Sequence, residues 1–282
     1  MAVRNPVVAG MFYPGTAPAL RELIARMVDV RATKEDVFGA VLPHAGYVYS
    51  GHVAGAAVSR IRFKDTFIIM GPNHTGLGKP FSIMTKGSWK TPLGEVPIDT
   101  DMAKSLMAAS TYLSEDEDAF AEEHSIEVQL PFLQFFKKNI KFVPIILASY
   151  PDPKVYIEMG DQLARALSGA NEKAVIIASS DMTHYQPRKT AQTKDSHAID
   201  AILALDPEEL YRRVREYDIS MCGYAPAMVM LQAANVIGAA GAELVRYATS
   251  GDVTGETASV VGYASILVRN KTAVPPTKGE LA

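Results

Sequence analysis

The chain has 282 residues, 48% of them hydrophobic, and a formal net charge of −3, so it can bury one large core and carries no basic surplus for a nucleic-acid surface. Its single cysteine, Cys222, excludes an internal disulfide framework. The opening Met1-Ala2-Val3-Arg4-Asn5-Pro6 lacks the apolar block of a signal peptide, and the weakly polar stretch 225–240 contains Gln232, Asn235 and Gly238, short of the ~20 apolar residues of a membrane span. A cytoplasmic protein that binds neither nucleic acid nor membrane is expected.

In chain order, residues 1–15 read as extended, with turn signals at Gly10 and Pro14-Gly15. Thr16 and Pro18 open a helix whose stripe Leu20, Leu23, Ile24, Met27 and Val28 has the helical period. The run from Val37 to Leu42 predicts a buried strand, and the alanine-rich segment from Val53 to Ile61 a short helix. Strand 66–70 leads into a glycine-rich loop, Gly71 to Gly78. A hairpin-like region, 81–98, turns at Pro92-Leu93-Gly94, and Asp99 or Thr100 caps a helix ending near Ser110. The acidic run 114–123 reads as a solvated helix start. After His124 come Ile126, Leu130, Leu133 and Phe136, a helical stripe interrupted by Pro131.

Strand 140–147, a helix from Asp152-Pro153 to about Leu167, strand 174–178 and helices near 190–204 and 207–217 follow. Cys222-Gly223 opens an apolar helix at 225–237, and strands near 243–248 and 259–268 close the order. This alternation predicts one α/β domain over residues 1–270, with a loose polar tail at 271–282. Runs such as FIIM and VIIA are apolar at every position. They suit a central, mainly parallel or mixed sheet covered by helices on both faces.

Three of these strands run into histidine: Pro43-His44, Gly71-Pro72-Asn73-His74 and Ser179-Ser180-Asp181-Met182-Thr183-His184. Ligands of open α/β sheets bind outside the carboxyl ends of the strands. Convergence of His44 and His74 there would make a metal or acid–base site; the plain alternative is that each ties down its own loop. Asp181 and His184 can face one cavity as acid–base partners, or Asp181 can close an Asx-type turn on its own backbone. His124 is ambiguous, since it can simply cap the helix that follows. His52 and His197 read as surface residues. Cys222 lies at a helix start, where the backbone dipole favours the thiolate, and a thiolate with two imidazoles is a plausible transition-metal set; alternatively it is a small core residue. Other templates fail: there is no G-x-S-x-G elbow, and Gly78-Lys79 is followed by Pro80 rather than the Ser or Thr of a phosphate loop.

Several motifs together resemble the Memo family. They are Arg4…Ala9-Gly10-x-Phe12-Tyr13-Pro14, Pro43-His44-Ala45-Gly46-Tyr47-x-Tyr49-Ser50-Gly51, Gly71-Pro72-Asn73-His74, Glu123-His124-Ser125-x-Glu127-x-Gln129-Leu130-Pro131-Phe132-Leu133, Ser179-Ser180-Asp181-x-x-His184-Tyr185, Cys222-Gly223 and Val261-Gly262-Tyr263. The resemblance implies a fold similar to class III extradiol ring-cleavage dioxygenases, which are non-haem iron enzymes. It carries metal ligation onto His44, His74 and Cys222, with Asp181, His184 and His124 nearby as catalytic groups. Iron is the implied metal, with copper or zinc as alternatives. In the dioxygenases the third ligand is a carboxylate; here that role falls to Cys222. Family association further implies radical-SAM and AMMECR-type partner proteins.

Two functions follow. One is a metal-dependent oxidoreductase in which His184, oriented by Asp181, moves protons and Tyr47 and Tyr49 line the mouth. The other is a non-catalytic module or adaptor that uses the same pocket for a metal or an anionic, phosphorylated peptide.

Overall fold

The computed structural model of the chain describes residues 3–167 and 174–271. The first half runs β1 (Val3–Arg4), α1 (Ala17–Ala25), β2 (Val37–Leu42), α2 (Tyr47–Val58), β3 (Thr66–Pro72), β4 (Phe81–Ile83), β5 (Ser88–Thr91), β6 (Gly94–Pro97), α3 (Thr100–Ala109), β7 (Ser114–Glu115) and α4 (Leu130–Phe136). The second half runs β8 (Lys141–Leu147), α5 (Lys154–Leu167), β9 (Ala174–Ser179), α6 (Arg188–Leu203), α7 (Pro207–Glu216), α8 (Tyr224–Ile237), β10 (Gly241–Thr249), α9 (Gly251–Thr254) and β11 (Gly262–Arg269). The tail beyond residue 271 lies outside the described residues. Among the described residues, no helix is long and apolar enough to cross a membrane.

Eight of the described strands form one mixed sheet in the order β10-β11-β2-β9-β3-β8-β4-β7, while β1, β5 and β6 form a small second sheet. Strands β2, β9, β3 and β8 are parallel neighbours; β11 is antiparallel to β2 and β4 to β8. Every residue of β2, β3 and β9 is buried, which is why their sequences do not alternate. Helix α8 packs on β2, β9 and β3, and α2 on β2, β11 and β10. A Cβ at Gly39 in β2 would come within 2.7 Å of both Ile176 O and Met230 Sδ, so the glycine is what lets α8 approach the sheet. Helix α8 is buried along most of its length, held between the sheet and helices α5 and α7.

The expected α/β class and element order hold, with local differences. Helix α2 begins at Tyr47, not Val53. Tyr47 donates its N–H to Phe12 O at 2.8 Å and its hydroxyl to Val128 O at 2.6 Å, so tertiary bonds carry the helix through a stretch of weak intrinsic propensity. Tyr47 is therefore a core residue and does not line a mouth; Tyr49 is exposed. Only β5 and β6 make the expected hairpin, because β4 pairs with β8 in the main sheet. Asp99 caps α3, accepting from Met102 N at 3.2 Å, and Asp206 caps α7, accepting from Glu209 N at 2.9 Å.

The acidic run is not a solvated helix start. It forms strand β7, a single 3₁₀ turn at Asp118–Phe120, and then turns inward, burying Glu123 completely.

Candidate metal centre

Because β2, β9 and β3 are adjacent and parallel, their carboxyl ends open at one edge of the sheet. His44 lies two residues past β2 and His74 two residues past β3. The loop bearing Asp181 and His184 leaves β9 between them. His124 arrives from the turn before α4. Their rings cluster: His44 to His74 is 5.1 Å between centroids, His44 to His124 5.5 Å, and His74 to His124 4.8 Å. Cys222 comes from the opposite end of the chain and places Sγ 3.2 Å from His44 Nε2. The ligand atoms of His44, His74 and Cys222 all lie within 4.8 Å of one another.

Hydrogen bonds decide which nitrogen of each ring is free. Ser179 Oγ donates its one proton to Ser125 O at 2.7 Å and accepts from Gln129 Nε2 at 2.8 Å. The orientation of that amide is set by Pro43 O, which accepts from the same Nε2 at 3.0 Å. His44 Nδ1, 3.0 Å from Ser179 Oγ, must therefore be the donor, which leaves the Nε2 lone pair facing Cys222. His74 Nδ1 donates to Glu123 Oε1 at 2.9 Å, and His184 Nδ1 donates to Ser220 O at 2.9 Å. In all three rings the Nδ1 proton is committed, so Nε2 is the nitrogen left to act as a ligand. Ordering a ligand imidazole through its other nitrogen is how proteins fix tautomer and orientation at metal sites.

The electrostatics disfavour a charge on His44, His124 and His184. Burial lowers His44 well below the ordinary imidazole range, and the neighbouring His74, His124 and His184 lower it further. Burial also lowers His124 and His184. Burial raises Glu123, but its hydrogen bonds with His74 and Ser125 and the charge of His74 more than offset this and hold it at about 2.

Asp181 is raised to about 7 by burial, with the N–H groups of His44 and Ala45 lowering it in part. It accepts from His44 N at 2.8 Å, so it braces the neighbouring loop and does not close an Asx turn on itself. The group that orients His184 is Ser220. Burial raises the Cys222 thiol well above its ordinary value, followed by the Asp181 charge, so at this helix start burial outweighs the dipole expected to favour the thiolate. His52 is exposed, and His197 stacks on Tyr217 at 3.9 Å; neither joins the cluster.

A second triad, His74, Glu123 and His124, also has its donor atoms within 4.8 Å. Glu123 already accepts from His74 N at 2.7 Å, His74 Nδ1 at 2.9 Å and Ser125 N at 2.9 Å, so three of its about four acceptor positions are in use, two of them on His74.

Two features hold these loops together. A Cβ at Gly223 would lie 2.2 Å from Ser179 O, so only glycine lets the Cys222 loop lie against the end of β9. Glu127, buried in the turn after His124, anchors the N-terminal segment. It accepts from Arg4 Nη1 at 2.7 Å, Val7 N at 2.9 Å, Val8 N at 3.1 Å and Tyr13 OH at 2.6 Å. That anchoring brings Phe12 edge-on to His124 at 4.9 Å. Composition alone pointed to none of Glu123, Glu127, Gln129, Ser179 or Ser220. The first four do fall inside the motifs that carry the family resemblance.

With fold and site described, the kinship is direct. The family model described as "Memo-like protein" matches residues 4–267, and the chain belongs to that family. A MEMO1 family protein of Methanococcoides burtonii is 48% identical over 269 residues, covering 95% of this chain and all of that one. Relatives of the same description in Methanosarcina mazei and Methanocaldococcus jannaschii are 43% and 41% identical, each over about 95% of this chain and 99% or more of theirs. The crystal structure of an uncharacterized protein from Escherichia coli K12 matches with a TM-score of 0.54, over 74% of this chain and 87% of that one at 16% identity, a likeness of fold alone.

Proposed function

We propose that this Memo-family protein binds a redox-active transition metal through His44 Nε2, His74 Nε2 and Cys222 Sγ, and that the centre serves oxidoreductase chemistry. Iron is the first candidate, with copper or zinc as alternatives. The observation that carries the reading is the set of committed Nδ1 protons, which leaves the Nε2 atoms of two imidazoles to meet one thiol within 4.8 Å. The donor set fits the group: imidazole and thiolate together suit a borderline-to-soft transition metal. Without a cation the buried thiol keeps its proton, so metal binding would release it.

When bound, the metal would supply Lewis acidity and one-electron chemistry. The chain's own residues do the rest. Ser179 and Glu123 hold the two ligand rings. Asp181, near 7, can take or give a proton at neutral pH, and His184, its Nδ1 held by Ser220 O, has Nε2 free to accept one. Ring cleavage is not proposed, because the carboxylate ligand of the dioxygenases is replaced by Cys222.

The test is metal analysis of protein purified without oxygen and loaded under metal-replete conditions, in wild type and Cys222→Ser. One equivalent of iron, copper or zinc in the wild type, reduced in the variant, is the expected result; its absence from both ends the metal reading. Oxygen uptake by the iron-loaded protein across a panel of reductants and phenols then separates turnover from the alternative, a non-catalytic module binding a metal or an anionic peptide.

A further inference from the structure

A cleft of about 630 Å³ opens beside Cys222, outside the carboxyl end of β8. That volume falls within the range of small-molecule sites. Cys222 lines this cleft and meets His44 of the histidine cluster, and Ser220 of the same wall holds His184.

The cleft has two chemical features. The first is aromatic. Tyr150, Tyr211 and Tyr224 line it; the Tyr211 and Tyr224 rings stand 6.1 Å apart at 52°, and Tyr150 is 42% exposed. Tyr224 is braced from behind by Tyr156, with ring centroids 6.0 Å apart. The second is an uncommitted cation. Helix α7 carries three arginines. Arg212 and Arg213 are each held by Glu209 at 2.6 Å. Arg215, on the cleft wall, is exposed and has no carboxylate within ion-pair distance among the described residues. Asp218, the acid of the same wall, is already matched by Lys194, which donates to its carbonyl at 2.7 Å and lies 3.8 Å from its carboxylate. The cleft therefore presents tyrosine faces and one free guanidinium fork.

We propose that this cleft binds an aromatic carboxylate, with the ring against the tyrosines and the carboxylate on Arg215. A planar guanidinium pairs bidentately with a carboxylate, and aromatic rings favour edge or offset contacts of this spacing. Since the cleft abuts the histidine cluster through Cys222, it is the substrate side of the centre. That role rests on the metal reading above, whereas the binding itself does not.

The experiment is calorimetric titration of the metal-free full chain with 3-phenylpropionate, with neutral 3-phenylpropan-1-ol and with non-aromatic hexanoate, in wild type and Arg215→Gln. Saturable one-site binding of 3-phenylpropionate is expected, weakened about tenfold in Arg215→Gln, with the alcohol and hexanoate each about tenfold weaker in the wild type. Absence of saturable 3-phenylpropionate binding, equal affinity in Arg215→Gln, or equal binding of the neutral alcohol overturns the proposal. Metal content is read on the same preparation after loading. Metal uptake without 3-phenylpropionate binding removes the cleft proposal alone, and 3-phenylpropionate binding without metal uptake removes the metal reading alone.

Discussion

Replacing Glu123 with glutamine tests the electrostatic logic of the cluster in the metal-free protein. Glu123 is fully buried and accepts three hydrogen bonds, from His74 N at 2.7 Å, His74 Nδ1 at 2.9 Å and Ser125 N at 2.9 Å. Burial alone would raise its pKa, but these partners bring it from an ordinary 4.5 to about 2. A carboxyl whose pKa is depressed on folding contributes stability that is fully present above the unfolded value. That stability drains away as pH falls toward the folded value. At about 1.4 kcal/mol per unit, the gap between 4.5 and 2 is worth about 3 kcal/mol.

In Glu123→Gln the amide oxygen can keep the two bonds at the Oε1 position, while the NH₂ group must face the His74 N–H, donor to donor. Urea unfolding followed by circular dichroism should find the variant about 3 kcal/mol less stable at neutral pH. The two proteins should converge as pH is lowered from about 4.5 toward 2. Two curves that stay parallel through that window, or a variant as stable as wild type at neutral pH, would refute the reasoning.

Two more substitutions follow from the same bonds. Ser179→Ala removes the acceptor that commits the His44 Nδ1 proton and leaves Gln129 Nε2 one bond short. Metal affinity, read by competition with a chromophoric chelator, should fall roughly 10–100-fold, and unchanged affinity would show that another contact sets the His44 tautomer. Glu127→Ala strands the buried Arg4 guanidinium and three further donors, at a cost of about 3–5 kcal/mol. Trp89, the chain's one tryptophan, lies 4.0 Å beneath that guanidinium, so its fluorescence should change along with the unfolding midpoint. A variant whose midpoint stays put would mean that the anchoring of residues 4–13 to the turn contributes little.

The strand ends that build the site were legible because a strand buried on both faces leaves an unbroken apolar run, and His44, His74 and Asp181 each stand just beyond one. Cys222 was singled out for its chemistry and its place before a helix. What composition hid was the ordering of those groups. Glu123 ends a run of acids whose other members are exposed or half-buried, and nothing local separates the one carboxylate that is fully buried. Ser179 reads as the first residue past strand 174–178; its role depends on Gln129 and Ser125, some fifty residues away in sequence. Tyr47 looked like a mouth residue because it follows His44, yet its hydroxyl is spent on Val128 O in the core. Hydrogen-bond partners of this kind are long-range, and periodicity carries only short-range information.

The separation of 178 residues between His44 and Cys222 bears on how the protein is made. A ribosome delivers the chain from its first residue onward, so both ligand histidines and the carboxylate that orients His74 exist well before the thiol. The nascent chain presents an imidazole pair alone until the segment containing Cys222 emerges and Gly223 lets it settle against the end of β9. Under the proposed metal role, the thiolate would be the last of the three donors to arrive and so would decide which ion is retained.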